Sequence, residues 1–188
     1  ARQRARYLGL MQEQARNMQR LVNDLLTLSA LESEHHPVGE ERFAILPLVL
    51  ELSAEAKALS GDRHEVELDL REPATVAGNR DEIRSAFSNL VSNAVRYTPP
   101  GGRITLAWRV ERSGCGVFAV TDTGIGIAKE HLPRLTERFY RVDRSRSRAT
   151  GGTGLGLAIV KHVLIRHQAT LEIDSEPGKG SRFTARFP

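Results

Sequence analysis

A single cysteine, Cys115, stands in the 188 residues, so an internal disulfide framework is excluded and no zinc site can be built on it alone. It fits a reducing compartment and reads as a small buried apolar residue. No uninterrupted apolar run reaches the length of a membrane span. The first residues are polar and helix-forming rather than a signal peptide, so the chain is expected to be soluble. Also missing are an internal repeat, a low-complexity segment and the phosphate-binding loop that ends in Gly-Lys followed by Ser or Thr. The formal net charge of +4 raises the question of nucleic acid, but basic residues concentrate only between Arg134 and Arg148. Phe139 and Tyr140 are the only aromatics there and no recognised nucleic-acid motif accompanies them, so no nucleic-acid partner is expected.

What is present suits one domain with a full core plus an appendage, since 40% of residues are hydrophobic and 27% charged. From Ala1 to about Leu31 there is no proline and only one glycine, Gly9, and apolar residues fall at Met11, Ala15, Met18, Val22 and Leu25. Steps of four and three make a heptad seam, which Leu21, Leu26 and Leu28 widen. One amphipathic helix cannot bury its own stripe, so it must pack on the following domain or on a partner helix. Glu32 to Glu40, with Pro37 and Gly39, reads as a hinge. The expected division is residues 1–34, a linker at 35–42 and a domain at 43–188.

Helices and strands then alternate. Leu46 to Leu59 reads as a helix, and His64 to Leu70 and Ala74 to Ala77 as strands. Asn79 caps a helix that runs through Tyr97 to the breaker Thr98-Pro-Pro-Gly-Gly102. Arg103 to Glu111 and Gly116 to Asp122 suggest an antiparallel hairpin, followed by a helix from Gly154 to about His167. Thr170 to Asp174 and Ser181 to Phe187 pair across Glu176-Pro-Gly-Lys-Gly180. The mixture predicts a two-layer α+β sandwich, with helices on one face of a mixed sheet, preceded by the long amphipathic helix.

Three signals appear in order: Asn89-x-x-x-Asn93, Asp122-Thr-Gly-Ile-Gly-Ile127, and Gly151-Gly-Thr-Gly-Leu-Gly156 opening a helix. Each alone is weak, but their order and spacing point to an ATP site. Asn89 and Asn93 lie four apart, so their amides stack on one helix face. Asn93, Arg96 and Tyr97 place a hard carbonyl oxygen, a cation and an aromatic ring within about one turn. Oxygen ligands suit Mg²⁺, which keeps waters and borrows ligands from nucleotide phosphates. The plainer alternative has both amides bonded to nearby backbone. Asp122 can accept from the adenine amino group while its glycines let the backbone approach the base; a strand-ending aspartate in a tight turn is the commoner use. Gly151, Gly152, Gly154 and Gly156 bring free N–H groups to a helix terminus and so make an anion site, or else serve only a flexible turn. Between the glycine clusters, the arginines of Thr136 to Arg148 read as a mobile lid whose guanidinium groups pair with a polyphosphate.

At these residues the chain resembles bacterial sensor histidine kinases, with phosphate-regulon sensors as the nearest subgroup. Asn89-Leu-Val-Ser-Asn93-Ala-Val-Arg-Tyr-Thr-Pro, Asp-Thr-Gly-Ile-Gly-Ile, Glu137-Arg-Phe-Tyr-Arg-Val-Asp and Gly-Gly-Thr-Gly-Leu-Gly-Leu-Ala-Ile-Val-Lys look like their N, G1, F and G2 boxes. The likeness covers about residues 40 to 188 and implies the Bergerat fold shared with gyrase, Hsp90 and MutL. It implies ATP and Mg²⁺ as ligands, with Asn93 on the metal and Asn89, Arg96 and Arg141 assisting at the phosphates. Tyr97, Asp122, Gly124, Gly126 and Ile127 would shape the base pocket. Gly152, Thr153, Gly154, Leu155 and Gly156 would border the phosphates, and Phe139 and Tyr140 would belong to the lid, anchored by Phe139.

The first helix resembles the second helix of a dimerisation and phosphotransfer hairpin. The first helix of such a hairpin, with its acceptor His followed by an acidic residue, has no match in the sequence. His35 and His36 lack that helical setting, and His162 and His167 look like ordinary helix residues. Gyrase, Hsp90 and MutL place a glutamate base one turn before the metal asparagine; here that position is Asn89, a poor base, so efficient ATP hydrolysis is not expected. The resemblance implies transfer of the γ-phosphoryl group to a histidine on the chain's own or a partner subunit's hairpin, for relay to a response-regulator receiver domain. It implies a homodimer for the full-length protein and the cytoplasmic portion of a membrane-bound sensor. An anti-sigma serine kinase is an alternative within the fold, which the bundle-type first helix argues against. A nucleotide-binding interaction module without kinase activity is the alternative from another class.

Overall fold

The computed structural model describes residues 2–33, 41–142 and 152–188. Among these residues, four helices, α1 (Arg2–Ser33), α2 (Ile45–Ser60), α3 (Arg80–Tyr97) and α4 (Gly156–Arg166), accompany seven strands. The strands are β1 (Arg42–Ala44), β2 (Glu65–Leu70), β3 (Thr75–Ala77), β4 (Arg103–Val110), β5 (Gly116–Asp122), β6 (Thr170–Glu176) and β7 (Gly180–Phe187). The five-stranded sheet runs β2-β4-β5-β7-β6, and only the β2–β4 pair is parallel. This is the expected mixed sheet. Two elements lay outside the sequence reading: β1, which pairs antiparallel with β3, and a 3₁₀ helix at Lys129–Arg134.

One face of the sheet carries the core. Ile104, Leu106 and Trp108 alternate along β4 and are buried, as are Phe118 and Val120 on β5 and Phe183 and Ala185 on β7. Helices α2, α3 and α4 supply the opposing layer. Phe87 of α3 stacks on Phe118 with ring centroids 3.8 Å apart. On the far face, Arg109, Val117 and Arg186 share one row across three strands. The arginines pair with Glu111, and Arg186 also with Glu172, so their stems cover Val117 and bury central β5 on both faces.

Helix α1 divides its apolar residues between two fates. Leu28 and Leu31 enter the domain core and Leu21 packs against it. Met11, Met18, Val22, Leu25 and Leu26 remain exposed. The sequence offered the following domain or a partner helix as cover, and the C-terminal end of α1 takes the first. Helix α1 continues through Glu32 and Ser33, two residues into the stretch read as a hinge. His35 and His36 lie outside the described residues.

Candidate nucleotide site

Helix α3 positions the first group of site residues. Asn79 caps it as expected, its Oδ1 accepting from the N–H groups of Asp81 at 3.0 Å and Glu82 at 3.1 Å. One side, including Ile83, Phe87, Leu90 and Val91, is buried. With that side held by the core, the helical period turns Ser85, Asn89, Asn93 and Arg96 onto another. The two asparagines differ in environment. Asn89 donates from Nδ2 to the Ser85 carbonyl at 2.9 Å, the plainer alternative, and its amide lies against Gly156, where an added Cβ would meet Oδ1 at 2.6 Å. The Asn93 side chain makes no hydrogen bond among the described residues, so its carbonyl oxygen is uncommitted.

The turn after β5 closes on the end of α3. Asp122 is buried, and its Oδ1 accepts from the Gly124 N–H at 2.8 Å. Burial pushes its carboxyl above the ordinary aspartate value, opposed by hydrogen bonds from Gly124 and Ser181. Ile125 donates to the Tyr97 carbonyl at 3.2 Å and Gly178 to the Ile125 carbonyl at 2.8 Å. Ile127 donates to Ser175 Oγ at 2.8 Å. Glycine is required at 126: φ is +66°, and a Cβ would lie 2.0 Å from the Glu176 carbonyl oxygen. Asp122 is thus buried at a turn whose neighbours Tyr97 and Ile125 remain half-exposed.

The F and G2 segments meet backbone to backbone. The Phe139 N–H donates to the Gly154 carbonyl at 2.9 Å, and the Phe139 ring is exposed. Phe139 thus anchors its segment through the main chain. Tyr140 is committed elsewhere: its hydroxyl lies 2.8 Å from His131 Nδ1 and its ring lies beneath the Arg134 guanidinium at 4.3 Å. It fastens the F segment to the 3₁₀ helix. Sequence reasoning missed His131 and Arg134 in this role, because the element that presents them contains Pro133 and has no helical periodicity.

Gly152 lies where an added Cβ would approach Arg96 Nη1 at 3.0 Å and Arg141 Nη2 at 3.8 Å. The buried Arg141 Nη2 has no hydrogen-bond partner among the described residues. An unpaired buried guanidinium N–H is costly, and a phosphate oxygen is a partner that would satisfy it. Arg96, Arg141 and the G2 backbone therefore fit a polyphosphate. Among the described residues there is no cluster of three or more His, Cys, Asp or Glu able to hold a metal. The donor set fits Mg²⁺ held by the Asn93 carbonyl, with further ligands from phosphates and water. Residues 143–151, which include the end of the stretch read from sequence as a lid and Gly151 of the second glycine cluster, lie outside the described residues.

Residues 78–188 match the family described as histidine kinase-, DNA gyrase B-, and HSP90-like ATPase. The chain is 54% identical over 183 residues to the phosphate regulon sensor protein PhoR of Pseudomonas aeruginosa, covering 97% of this chain and 41% of that protein. It is 40% identical over 192 residues to the sensor-like histidine kinase SenX3 of Mycolicibacterium smegmatis, covering 97% and 48%. Among solved structures, full-length ShkA in complex with AMPPNP matches with a TM-score of 0.83 at 26% identity, covering 100% of this chain and 39% of that one. The chain spans less than half the length of these curated relatives.

Proposed function

The chain belongs to the histidine kinase-, DNA gyrase B- and HSP90-like ATPase family, and on that premise we propose that it is the catalytic region of a two-component sensor histidine kinase. It binds Mg-ATP and transfers the γ-phosphoryl group to a histidine on a dimerisation hairpin, for relay to a response-regulator aspartate. The observation that carries this reading is the buried Arg141 nitrogen, without a hydrogen-bond partner among the described residues, beside Gly152 and Arg96. The identity with PhoR over nearly the whole chain supports the same reaction.

Each residue has a defined task. Asp122 accepts from the adenine amino group, and Gly124, Gly126, Ile127 and Tyr97 shape the space for the base. Arg96 and Arg141 hold phosphate oxygens, and the Gly152 to Gly156 backbone adds N–H donors at the start of α4. Asn93 offers its amide oxygen to Mg²⁺. The bound metal supplies charge neutralisation across the phosphates. Asn89 is too weak a base to activate water and is already tied to Ser85, so the γ-phosphate is preserved for an imidazole. The imidazole nitrogen attacks phosphorus in line; its N–P bond forms as the bond to the bridging oxygen breaks, and ADP leaves with the electron pair.

We assign residues 1–34 to the second helix of the hairpin, 35–42 to a linker and 43–188 to the catalytic domain. The exposed apolar seam of α1 suits a helical partner in a homodimeric bundle. No helix among the described residues is long and apolar enough to cross a membrane. The chain is assigned to the cytoplasmic portion of a membrane sensor. Phosphotransfer from labelled Mg-ATP to a supplied acceptor hairpin tests the reading. An acid-labile, base-stable phosphohistidine supports it, and a chain that binds ATP but transfers nothing is an interaction module instead.

A further inference from the structure

Helix α1 does more than bury two leucines against the domain. The Asp24 carboxylate accepts from Thr153 Oγ1 at 2.6 Å, a contact spanning 129 positions of sequence. The same hydroxyl accepts from the Leu155 N–H at 3.3 Å, so its proton is directed to Asp24. One turn beyond Leu28, Glu32 pairs with Arg138 of the F segment and lies 3.6 Å from His162 of α4. Asp24 also borders a polar cleft of about 450 Å³ whose other wall is Ser85, Ser88, Asn89 and Ser92 of α3. Two carboxylates from one helix thus reach the two segments that Phe139 and Gly154 join, and one of them lies on the side of the site assigned to phosphates.

We propose that Asp24 is an internal competitor of the triphosphate, so that docking of α1 and binding of a nucleoside triphosphate oppose one another. The inference rests on the nucleotide reading above. Thr153 stands between Gly152, beside the two phosphate-facing arginines, and Gly154. A triphosphate brought there faces the Asp24 charge at short range in a partly buried setting, where screening by salt is weak. Its binding therefore favours release of the Asp24–Thr153 bond, with Glu32 and Arg138 as the second tie to be loosened. By linkage, whatever draws α1 away tightens nucleotide binding by the same factor.

The test is calorimetric titration of Mg-ATP and of adenosine into the wild-type chain and Asp24→Asn, which keeps a hydrogen-bond acceptor but loses the charge. The Mg-ATP affinity of the variant is expected to rise about threefold to tenfold, with adenosine affinity unchanged. Mg-ATP should also speed amide exchange in residues 21–33 of the wild type. Glu32→Gln, a second variant, should tighten Mg-ATP by a smaller factor should Asp24→Asn fail to fold. Unchanged or weaker ATP binding by a folded variant, or an equal gain for adenosine, overturns the proposal. A folded wild type that binds neither ligand overturns the nucleotide reading, and the competition falls with it.

Discussion

Substituting Gly154 by alanine separates strain in the G2 loop from stability of the domain. Gly154 has φ +75°, and an added Cβ would lie 2.9 Å from Phe139 Cα and 3.0 Å from its carbonyl carbon. The neighbour cannot yield easily, since Phe139 itself holds φ +61° and donates to the Gly154 carbonyl. A left-handed conformation costs a non-glycine residue about 1–2 kcal/mol before any clash is counted. Opening the Phe139–Gly154 contact relieves that strain locally, whereas the core below it, including Leu155 and Ile159, is fully packed. Local relief costs less than global unfolding, so the loop gives way first. Gly154→Ala is then expected to weaken Mg-ATP binding by about fivefold to thirtyfold. Its melting temperature should fall by no more than about 4 °C. Calorimetry and thermal denaturation of the same sample check both numbers. Wild-type affinity in the variant would refute the reasoning, because the loop would then be tolerating a conformation that only glycine should reach.

With Asp122 as the proposed adenine acceptor, base binding is expected to depend on pH. Burial raises its carboxyl value in the folded chain, so its contribution to stability is full below the unfolded value and is lost as pH rises through the folded one. Binding has the opposite sense: accepting from the adenine amino group needs the ionised form. Adenosine affinity should fall as pH drops through the raised value, and titrations in several buffers should detect proton release there; a flat profile counts against Asp122 as the acceptor. In the core, Phe87→Ala removes a fully buried ring stacked on Phe118 and should cost about 3–5 kcal/mol in urea unfolding. A loss below about 1 kcal/mol would mean that the two layers do not depend on that stack.

Elements with strong local chemistry were readable from sequence. Asn79 announces the start of α3 because a cap needs only its own side chain and two nearby N–H groups. The apolar alternation of β4 reflects one face on the helices, whereas β5, buried on both faces, reads as a continuous apolar run. Helix α4 begins at Gly156 rather than Gly154 because the positive φ at 154 has no place in a right-handed helix. Strand β1, three residues long, carries too little pattern to be seen without its partner β3. The difference between Asn89 and Asn93 is likewise invisible in sequence, where both are helical asparagines on one face. Only packing of Asn89 against Gly156 and Ser85 separates the tied amide from the open one. The Asp24–Thr153 contact depends on how α1 folds back on the domain, which no local pattern encodes.

The most direct test of the nucleotide site is a calorimetric titration of ATP, with and without Mg²⁺, into the wild-type chain, Asn93→Ala and Asn89→Ala. The expected result is wild-type binding that Mg²⁺ strengthens, loss of that strengthening in Asn93→Ala, and its retention in Asn89→Ala. Absence of ATP binding by a folded wild type, or a Mg²⁺ effect left intact in Asn93→Ala, would contradict it.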